Sequence, residues 1–170
     1  MNSSALVPSS KNSSRRTSGD AYLRFELCPQ TSAVLFMRYV QEAMILSARR
    51  LTPMPNMPPC MLGLMNRRSR VLWVVDLAQM LGLAILDTNA QQYSLVLIQV
   101  GAVSLGLAVQ RVEGIAWIDP NQTQPPIGQV LPSLLPYLRG CAVQQQEHRQ
   151  DILLMLDAEA IAQSPILRNP

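Results

Sequence analysis

The stretch that decides the fold is "MLGLMNRRSRVLWVVDL", residues 61–77, in which two apolar runs flank a short polar insert. The insert, residues 66–70, contains three arginines: Arg67, Arg68 and Arg70. Short apolar runs that are separated by polar turn residues are typical of buried strands. The stretch therefore predicts strand, turn and strand. The runs would be scaffold, and the arginines would form a presented contact surface.

The residues before this stretch continue the β pattern. Leu23, Phe25 and Leu27 alternate with polar residues, which is the period of a half-buried strand. Residues 33–46 fit one amphipathic helix or two strand pieces, and their β-branched and aromatic content favours strands. Residues 51–60 contain four prolines, which predicts a stiff loop because proline fixes φ and removes a donor.

Two aspartates predict the starts of two short helices. Asp76 is a suitable N-cap for a helix over residues 77–81, and Gly82 is a suitable terminator. Asp157 is a suitable N-cap for a closing helix over residues 158–163.

Further strands are predicted at residues 93–100, 103–117, 137–144 and 151–157. Gly106 and Gly114 interrupt the second of these, and we expect them to form bulges or sharp bends. Short strands that are separated by turns with Gly and Pro, together with brief helices, indicate an all-β barrel or sandwich. A doubly wound nucleotide-binding fold is disfavoured because strands and helices do not alternate.

Charge and hydropathy divide the chain into two parts. Hydrophobic residues make up 48% of the 170 residues and charged residues only 15%, so a packed core and a partly apolar surface are expected. The net charge of +3 comes from Lys11, Arg15 and Arg16 near the N-terminus. We predict a disordered tail over residues 1–19 and a nearly neutral folded domain over residues 20–170.

The sequence offers no arrangement that is typical of catalysis, of a cofactor or of a metal site. The single histidine, His148, lies in a polar predicted turn, and the three cysteines, Cys28, Cys60 and Cys141, form no Cys-x-x-Cys pair. No phosphate-binding loop and no paired carboxylates are present. The lack of a secretory signal and of a transmembrane-length run predicts a cytoplasmic protein that does not insert into a membrane.

Binding of single-stranded nucleic acid to the arginines of a small barrel is the alternative. Such binding needs exposed aromatics for stacking, whereas aromatics are 5% of the chain and only Trp73 is near the insert. A nearly neutral domain also lacks the spread of positive charge that nucleic acid favours. The preferred interpretation therefore has protein partners and no nucleic acid.

The chain resembles a known family. "CMLGLMNRRSRVLWVVDLAQMLGL", residues 60–83, looks like the signature of the CheW-like chemotaxis adaptors. Three other segments resemble further family motifs: "YVQEAM", "LGLAVQRVEGI" and "ILLMLDAEAI". Together the resemblance spans about residues 22–167. The segment "NRRSRVLWVVDL" is most similar to adaptors from cyanobacterial motility and phototaxis systems.

The resemblance implies a fold and a role. The fold would be two five-stranded, SH3-like β-barrels that share an apolar core, with short helices. The protein would be a non-catalytic adaptor that couples a methyl-accepting receptor to a CheA-type histidine kinase in chemotaxis, phototaxis or type IV pilus motility. Its partners would be the kinase's own CheW-like regulatory domain and the receptor's cytoplasmic tip. Weak self-association through the barrels stays open.

The resemblance also implies partner-binding positions, which are Val40, Glu42, Gly63, Asn66, Arg67, Arg68, Arg70, Val109 and Val112. Arg68 matches the arginine of the family's Asn-x-Arg-Gly motif. Three residues depart from the family pattern: Ser69 replaces a glycine, Arg67 an apolar residue and Trp73 a proline. Either the turn differs from that of the family, or Ser69 adopts a left-handed backbone conformation at some energetic cost.

Overall fold

A computed structural model describes residues 19–126 and 128–168, so nearly all of the predicted tail lies outside the described residues. The strands are β1 (Asp20–Cys28), β2 (Thr31–Phe36), β3 (Val40–Ser47), β4 (Met61–Arg67), β5 (Arg70–Asp76), β6 (Gln92–Val100), β7 (Val103–Val109), β8 (Arg111–Ile118), β9 (Thr123–Gln124), β10 (Leu138–Gln146) and β11 (Arg149–Leu156). The helices are α1 (Leu77–Met80), α2 (Ala158–Ala162) and α3 (Pro165–Arg168).

The strands form two curled sheets, as an all-β protein of two small barrels requires. One sheet has the order β8-β1-β2-β11-β10-β9, and the other has the order β3-β6-β7-β5-β4. Neighbouring strands are antiparallel except for the pairs β11–β2 and β5–β7. The all-β, two-barrel prediction is confirmed, although the first sheet has a sixth strand, β9, of only two residues.

A shared apolar core lies between the two sheets. Leu23, Phe25 and Leu27 are buried in it, which confirms the alternation read in β1. The second sheet contributes six buried residues to the same core: Val75, Val96, Ile98, Leu105, Leu107 and Val109. Because both sheets bury side chains in one core, neither barrel is an independent domain.

Each barrel also has a smaller interior of its own. The five-stranded barrel encloses Leu46, Met65, Leu72, Val74, Tyr93, Leu95, Leu97 and Ala108. The six-stranded barrel encloses Val34, Ala116, Ile118, Ala142, Leu153 and Met155. One face of each strand thus lines a barrel interior and the other contributes to the shared core or meets solvent.

Most of the predicted local elements are confirmed. Residues 33–46 form parts of two strands, β2 and β3, which are separated by a single 3₁₀ turn. Asp76 and Asp157 cap α1 and α2, each by accepting hydrogen bonds from backbone N–H groups of the first turn. Gly82 has a φ of 74°, as a glycine that ends a helix should.

The two glycines of the predicted 103–117 run behave differently. Gly114 has a φ of 130° and lies at a register shift between β8 and β1, so the bulge is confirmed. The bulge predicted at Gly106 is wrong, because β7 pairs regularly there. A Cβ on Gly106 would lie 3.2 Å from Cγ2 of Val74, so this glycine permits close packing.

Replacing Asp76 should test how far its cap supports the fold. The side chain is 1% exposed and accepts from the backbone N–H groups of Gln79 and Leu86 at 3.1 and 2.8 Å. We expect Asp76→Ala to lower the free energy of unfolding by about 2 kcal/mol, because two buried N–H groups lose their acceptor. Urea denaturation measures this.

Asp76→Asn is the matched variant. Its single amide oxygen can accept from only one of the two N–H groups, so the loss should be smaller than for alanine. Equal stability of the alanine variant and the unchanged protein would contradict the capping role.

Candidate functional site

The arginine-rich insert forms a tighter hairpin than the sequence predicts. β4 and β5 stay paired as far as Arg67 and Arg70, so the turn contains only Arg68 and Ser69. The expected five-residue turn is therefore wrong in length, because Asn66, Arg67 and Arg70 belong to the strands. Both turn residues have positive φ, 50° and 63°, as a two-residue type I′ hairpin requires.

Arg67 folds back onto a carboxylate instead of pointing away from the protein. Its guanidinium binds both carboxylate oxygens of Glu42, with Nε 3.3 Å from Oε2. Glu42 lies in β3 and Arg67 in β4, and these are the two outer strands of the five-stranded sheet. Glu42 and Arg67 each lie two residues from a methionine, Met44 and Met65, that packs in or against the barrel interior, so the pair links the two outer strands at the edge of that interior.

The pair changes the acidity of Glu42. The hydrogen bond from Arg67 holds the pKa of Glu42 below its usual value, and the charges of Arg67 and Arg68 act in the same direction. Arg68 and Arg70 are themselves exposed, and neither forms an ion pair with any part of the chain that the structure describes. These two guanidinium groups are therefore free to meet a partner.

Gly63 has a structural role next to this hairpin. It is buried with a φ of 143°, and a Cβ there would lie 2.5 Å from the carbonyl oxygen of Thr52. The neighbouring Leu64 exchanges two backbone hydrogen bonds with Thr52, at 2.8 and 2.9 Å. Gly63 thus allows the proline-rich loop to lie against β4, and it offers no side chain to a partner.

The three predicted valines do not form one surface. Val40 is half-buried at the start of β3, at the same end of the sheet as the β4–β5 turn. Val109 is 2% exposed and lies in the shared core, at the opposite end of that sheet. Val112 is half-buried in β8 of the other sheet. The structure therefore gathers one cluster, the hairpin patch, which consists of Glu42, Asn66, Arg67, Arg68 and Arg70.

A groove of about 780 Å³ lies beside the hairpin patch. The groove has apolar walls from β5, β7 and the C-terminal helices, including Trp73, Leu105 and Leu167, and it has Arg70 and Arg168 among its lining residues. Val71 on its wall is 65% exposed. This groove cannot be predicted from the sequence pattern, because α3 reaches β5 only through the tertiary fold.

The described residues hold no arrangement that matches a metal or nucleophilic site. Residues 19–126 and 128–168 contain no group of three or more His, Cys, Asp and Glu side chains that could hold a metal ion. Cys60 and Cys141 are buried, and burial raises the pKa of the Cys60 thiol, which keeps it protonated. His148 is exposed in the β10–β11 turn. In the same part of the chain, no helix is both long and apolar enough to span a membrane.

The Glu42–Arg67 pair should stabilise the fold in a pH-dependent way. Because the pKa of Glu42 is lowered in the folded state, its contribution is present above the ordinary glutamate pKa and is lost as pH falls through the lowered value. We expect Glu42→Gln to lower the free energy of unfolding at neutral pH and to lose this effect in acid. Denaturation at several pH values measures the difference.

Two variants control this experiment. Glu147→Gln removes an exposed carboxylate at the β10–β11 turn, and it should change stability much less at any pH. Combining Glu42→Gln with Arg67→Gln gives a double-mutant cycle, whose coupling energy should vanish in acid. A coupling that is independent of pH would argue against the pair.

Replacing Gly63 by a larger residue should lower the stability of the fold, because Gly63 is buried and presents no side chain to a binding surface. We expect Gly63→Val to lower the free energy of unfolding by about 2–4 kcal/mol, because a Cβ would collide with the backbone at Thr52. Gly101→Val is the matched control, since a Cβ at Gly101 meets no atom within 4 Å although its φ is also positive. Similar losses for both variants would show that backbone strain alone is responsible.

Comparison with known proteins gives a family. The family model described as "CheW-like domain" matches residues 21–165. None of the curated proteins compared with the chain matches it. Among solved structures, the chain is similar to the scaffolding protein TtCheW from Thermoanaerobacter tengcongensis, with 19% identity and a TM-score of 0.68 over 82% of this chain and 89% of that chain. Since the family model spans most of the chain and the two-sheet fold agrees with it, the chain belongs to the CheW-like domain family.

Proposed function

We propose that this protein is a non-catalytic adaptor of chemotaxis-type signalling, which couples a methyl-accepting receptor to a CheA-type histidine kinase. The observation that carries the proposal is the CheW-like domain match over residues 21–165. The described residues agree with a binding role, because they offer an exposed cationic hairpin and an apolar groove and no cluster of metal ligands. Such a coupler would work by holding two partners in one assembly, so that the state of one biases the other.

The hairpin patch is the part of this adaptor that we expect to contact a partner most directly. Arg68 is exposed in the turn and Arg70 is exposed at the start of β5, and the paired strands hold the backbone at both residues, so little backbone ordering remains to be done on binding. A guanidinium can bind a partner carboxylate through two parallel hydrogen bonds. Within this patch Glu42 and Arg67 neutralise each other, so the charges that remain for a partner are those of Arg68 and Arg70.

The valines contribute to the proposed function in different ways. Val40 is half-buried close to the hairpin patch and can add apolar contact there. Val109 is buried, so it would act by positioning β7 and not by touching a partner. Val112 lies in the other sheet, where it would belong to a second surface if it contacts a partner at all.

The setting of the adaptor rests on the sequence resemblance. We propose a cytoplasmic protein in a phototaxis or pilus-motility system, because "NRRSRVLWVVDL" is most similar to adaptors from such systems. The kinase partner would supply its CheW-like regulatory domain and the receptor its cytoplasmic tip. Residues 20–170 would act as one domain, because the two barrels share their core.

Replacing Arg68 tests the proposal. We expect Arg68→Ala to weaken binding to the regulatory domain of a CheA-type kinase, or to a receptor-tip fragment, by about 10–100-fold, with no change in thermal stability. Isothermal titration calorimetry measures the affinity. Arg49→Ala is the control, since Arg49 is also exposed but follows β3 at the opposite end of the sheet.

Two results would contradict the proposed role. Equal affinities for the Arg68→Ala variant and the unchanged protein would remove Arg68 from the interface. If neither fragment binds the unchanged protein while single-stranded DNA is retained on a filter with a steep salt dependence, the protein is a nucleic-acid-binding barrel instead.

A further inference from the structure

Two neighbouring strands of the five-stranded sheet separate at one end. β5 and β7 have seven residues each and lie side by side in parallel. Their pairing nevertheless begins only at Trp73 and Leu105, so residues 70–72 of β5 and residues 103–104 of β7 do not pair with each other. Each strand end is held there by its own hairpin, with β4 or with β6. The groove beside the hairpin patch lies in this gap, because both strand ends line it.

The backbone of Val71 directs its polar groups into the groove. In an antiparallel hairpin, successive residues alternate between bonding to the partner strand and facing away from it. Leu64 bonds to Thr52 on its outer side, so Trp73, which lies opposite Leu64, also faces away from its hairpin partner and toward β7. Val71 precedes Trp73 by two residues and has the same orientation, but the pairing with β7 does not extend to it. Val71 therefore offers one free donor and one free acceptor to an additional strand.

The two faces of the sheet differ in character at this groove. Arg70 and Val71 are neighbours in β5, so their side chains point to opposite faces. Val103 of β7 lies on the same face as Val71, since each precedes the first paired residue of its strand by two positions. Val71 and Val103 are 65% and 40% exposed, and Leu167 of α3 borders the groove beside them. A strand that lay beside β5 would thus meet apolar surface on one face and a guanidinium on the other.

The charge of the groove is entirely positive. Arg70 and Arg168 are the only charged side chains among the described residues that line it. Neither guanidinium forms an ion pair with another residue that the structure describes. Exposed guanidinium groups without an acidic neighbour favour carboxylates in a partner. Gln99 and Ser104 add uncharged hydrogen-bonding groups to the lining.

We propose that the groove binds an extended segment of a partner protein in which apolar and acidic residues alternate. The backbone of the segment pairs with Val71, and its apolar side chains pack against Val71, Val103 and Leu167. Its carboxylates meet Arg70, and Arg168 adds to the positive potential of the groove. The inference rests on the proposed function in one respect, namely that the occupant of the groove is a protein.

An extended segment fits the groove better than a helix does. A helix satisfies its own backbone groups, so it would leave the free donor and acceptor of Val71 unused. A strand uses both of them, and its side chains alternate between the two faces as the apolar and cationic surfaces beside β5 do.

Tryptophan fluorescence tests this proposal, because the chain has only two tryptophans, Trp73 in the groove and Trp117 in the other sheet. The probe is a capped peptide of about eight residues in which Val and Glu alternate. In a Trp117→Phe background we expect it to change the emission of Trp73 to saturation. The same peptide with Lys in place of Glu should bind at least about tenfold more weakly, because its cations meet Arg70. In a Trp73→Phe background the emission of Trp117 should stay constant.

Val71→Pro in the Trp117→Phe background separates strand pairing from the effects of charge and apolar contact. Proline removes the N–H of Val71, which faces away from β4, so the hairpin keeps its own hydrogen bonds. We expect this variant to bind the Val–Glu peptide about tenfold more weakly. Val71→Ile in the same background is the matched control, because it keeps the N–H and a β-branched side chain, and its affinity should stay within about twofold of the unchanged residue. A Val–Glu peptide with methylated backbone nitrogens removes the donors of the peptide and should also bind about tenfold more weakly, without any change in the protein.

Three results would overturn the proposal. The first is that the Val–Glu peptide leaves the emission of Trp73 unchanged, and the second is that the Lys peptide binds equally well. The third is that the Val71→Pro variant and the methylated peptide both bind as tightly as the unmodified pair, which would assign the groove to a helix or to side-chain contacts alone. No kinase or receptor fragment enters this experiment, so its failure is distinct from a failure of the proposed coupling.

Discussion

Two small barrels share one apolar core, and arginine–carboxylate bonds join their strands where that core does not reach. A curled sheet of few strands must keep its distant strands together, and interior apolar contacts alone do not fix the rim. In the five-stranded barrel Arg67 of β4 reaches Glu42 of β3. In the six-stranded barrel Arg24 of β1 reaches Glu113 of β8 and Asp151 of β11. The Arg24 bonds connect strands that are far apart in the sequence, and the Arg67 bond connects the two outer strands of its sheet.

Arg24 illustrates why arginine suits a position where one side chain must bind several strands. Its side chain is only 13% exposed, so burial acts against the charged form. The hydrogen bonds that Arg24 donates to Asp151 and Glu113, together with the charges of these carboxylates, outweigh that burial, and the pKa of Arg24 is raised. A planar guanidinium can meet both carboxylates and the amide of Gln144 at once, which the single ammonium of lysine does less well. Lys11 is the one lysine of the chain, and residues 19–168 have arginine as their only permanently cationic side chain.

The local part of this architecture was readable from the sequence. Alternation in β1 and the caps at Asp76 and Asp157 depend on a few neighbouring residues, and all were predicted correctly. For Ser69 the sequence left two alternatives, and the structure shows the left-handed one. The partner of Arg67 was not predicted, because the two residues of that pair meet only after β3 and β4 become opposite edges of one sheet. The burial of Val109 and the close packing at Gly106 likewise depend on strand order, which a pattern along one chain does not contain.

The outer strands of the two barrels are connected in different ways. In the five-stranded barrel, Thr52 continues the chain after β3 and forms a bridge to Leu64 of β4, so backbone pairing supplements the ion pair. In the six-stranded barrel, β9 is too short to reach along β10, and Arg24 of β1 instead bonds Gln144 of β10 and Asp151 of β11 through its side chain. β8 carries Arg111 and Glu113 on this edge, which discourages pairing with another chain, but it also exposes Ile115 and Trp117. The free edge of β8 thus combines charged side chains, which disfavour pairing with another chain, with two exposed apolar side chains, which favour it.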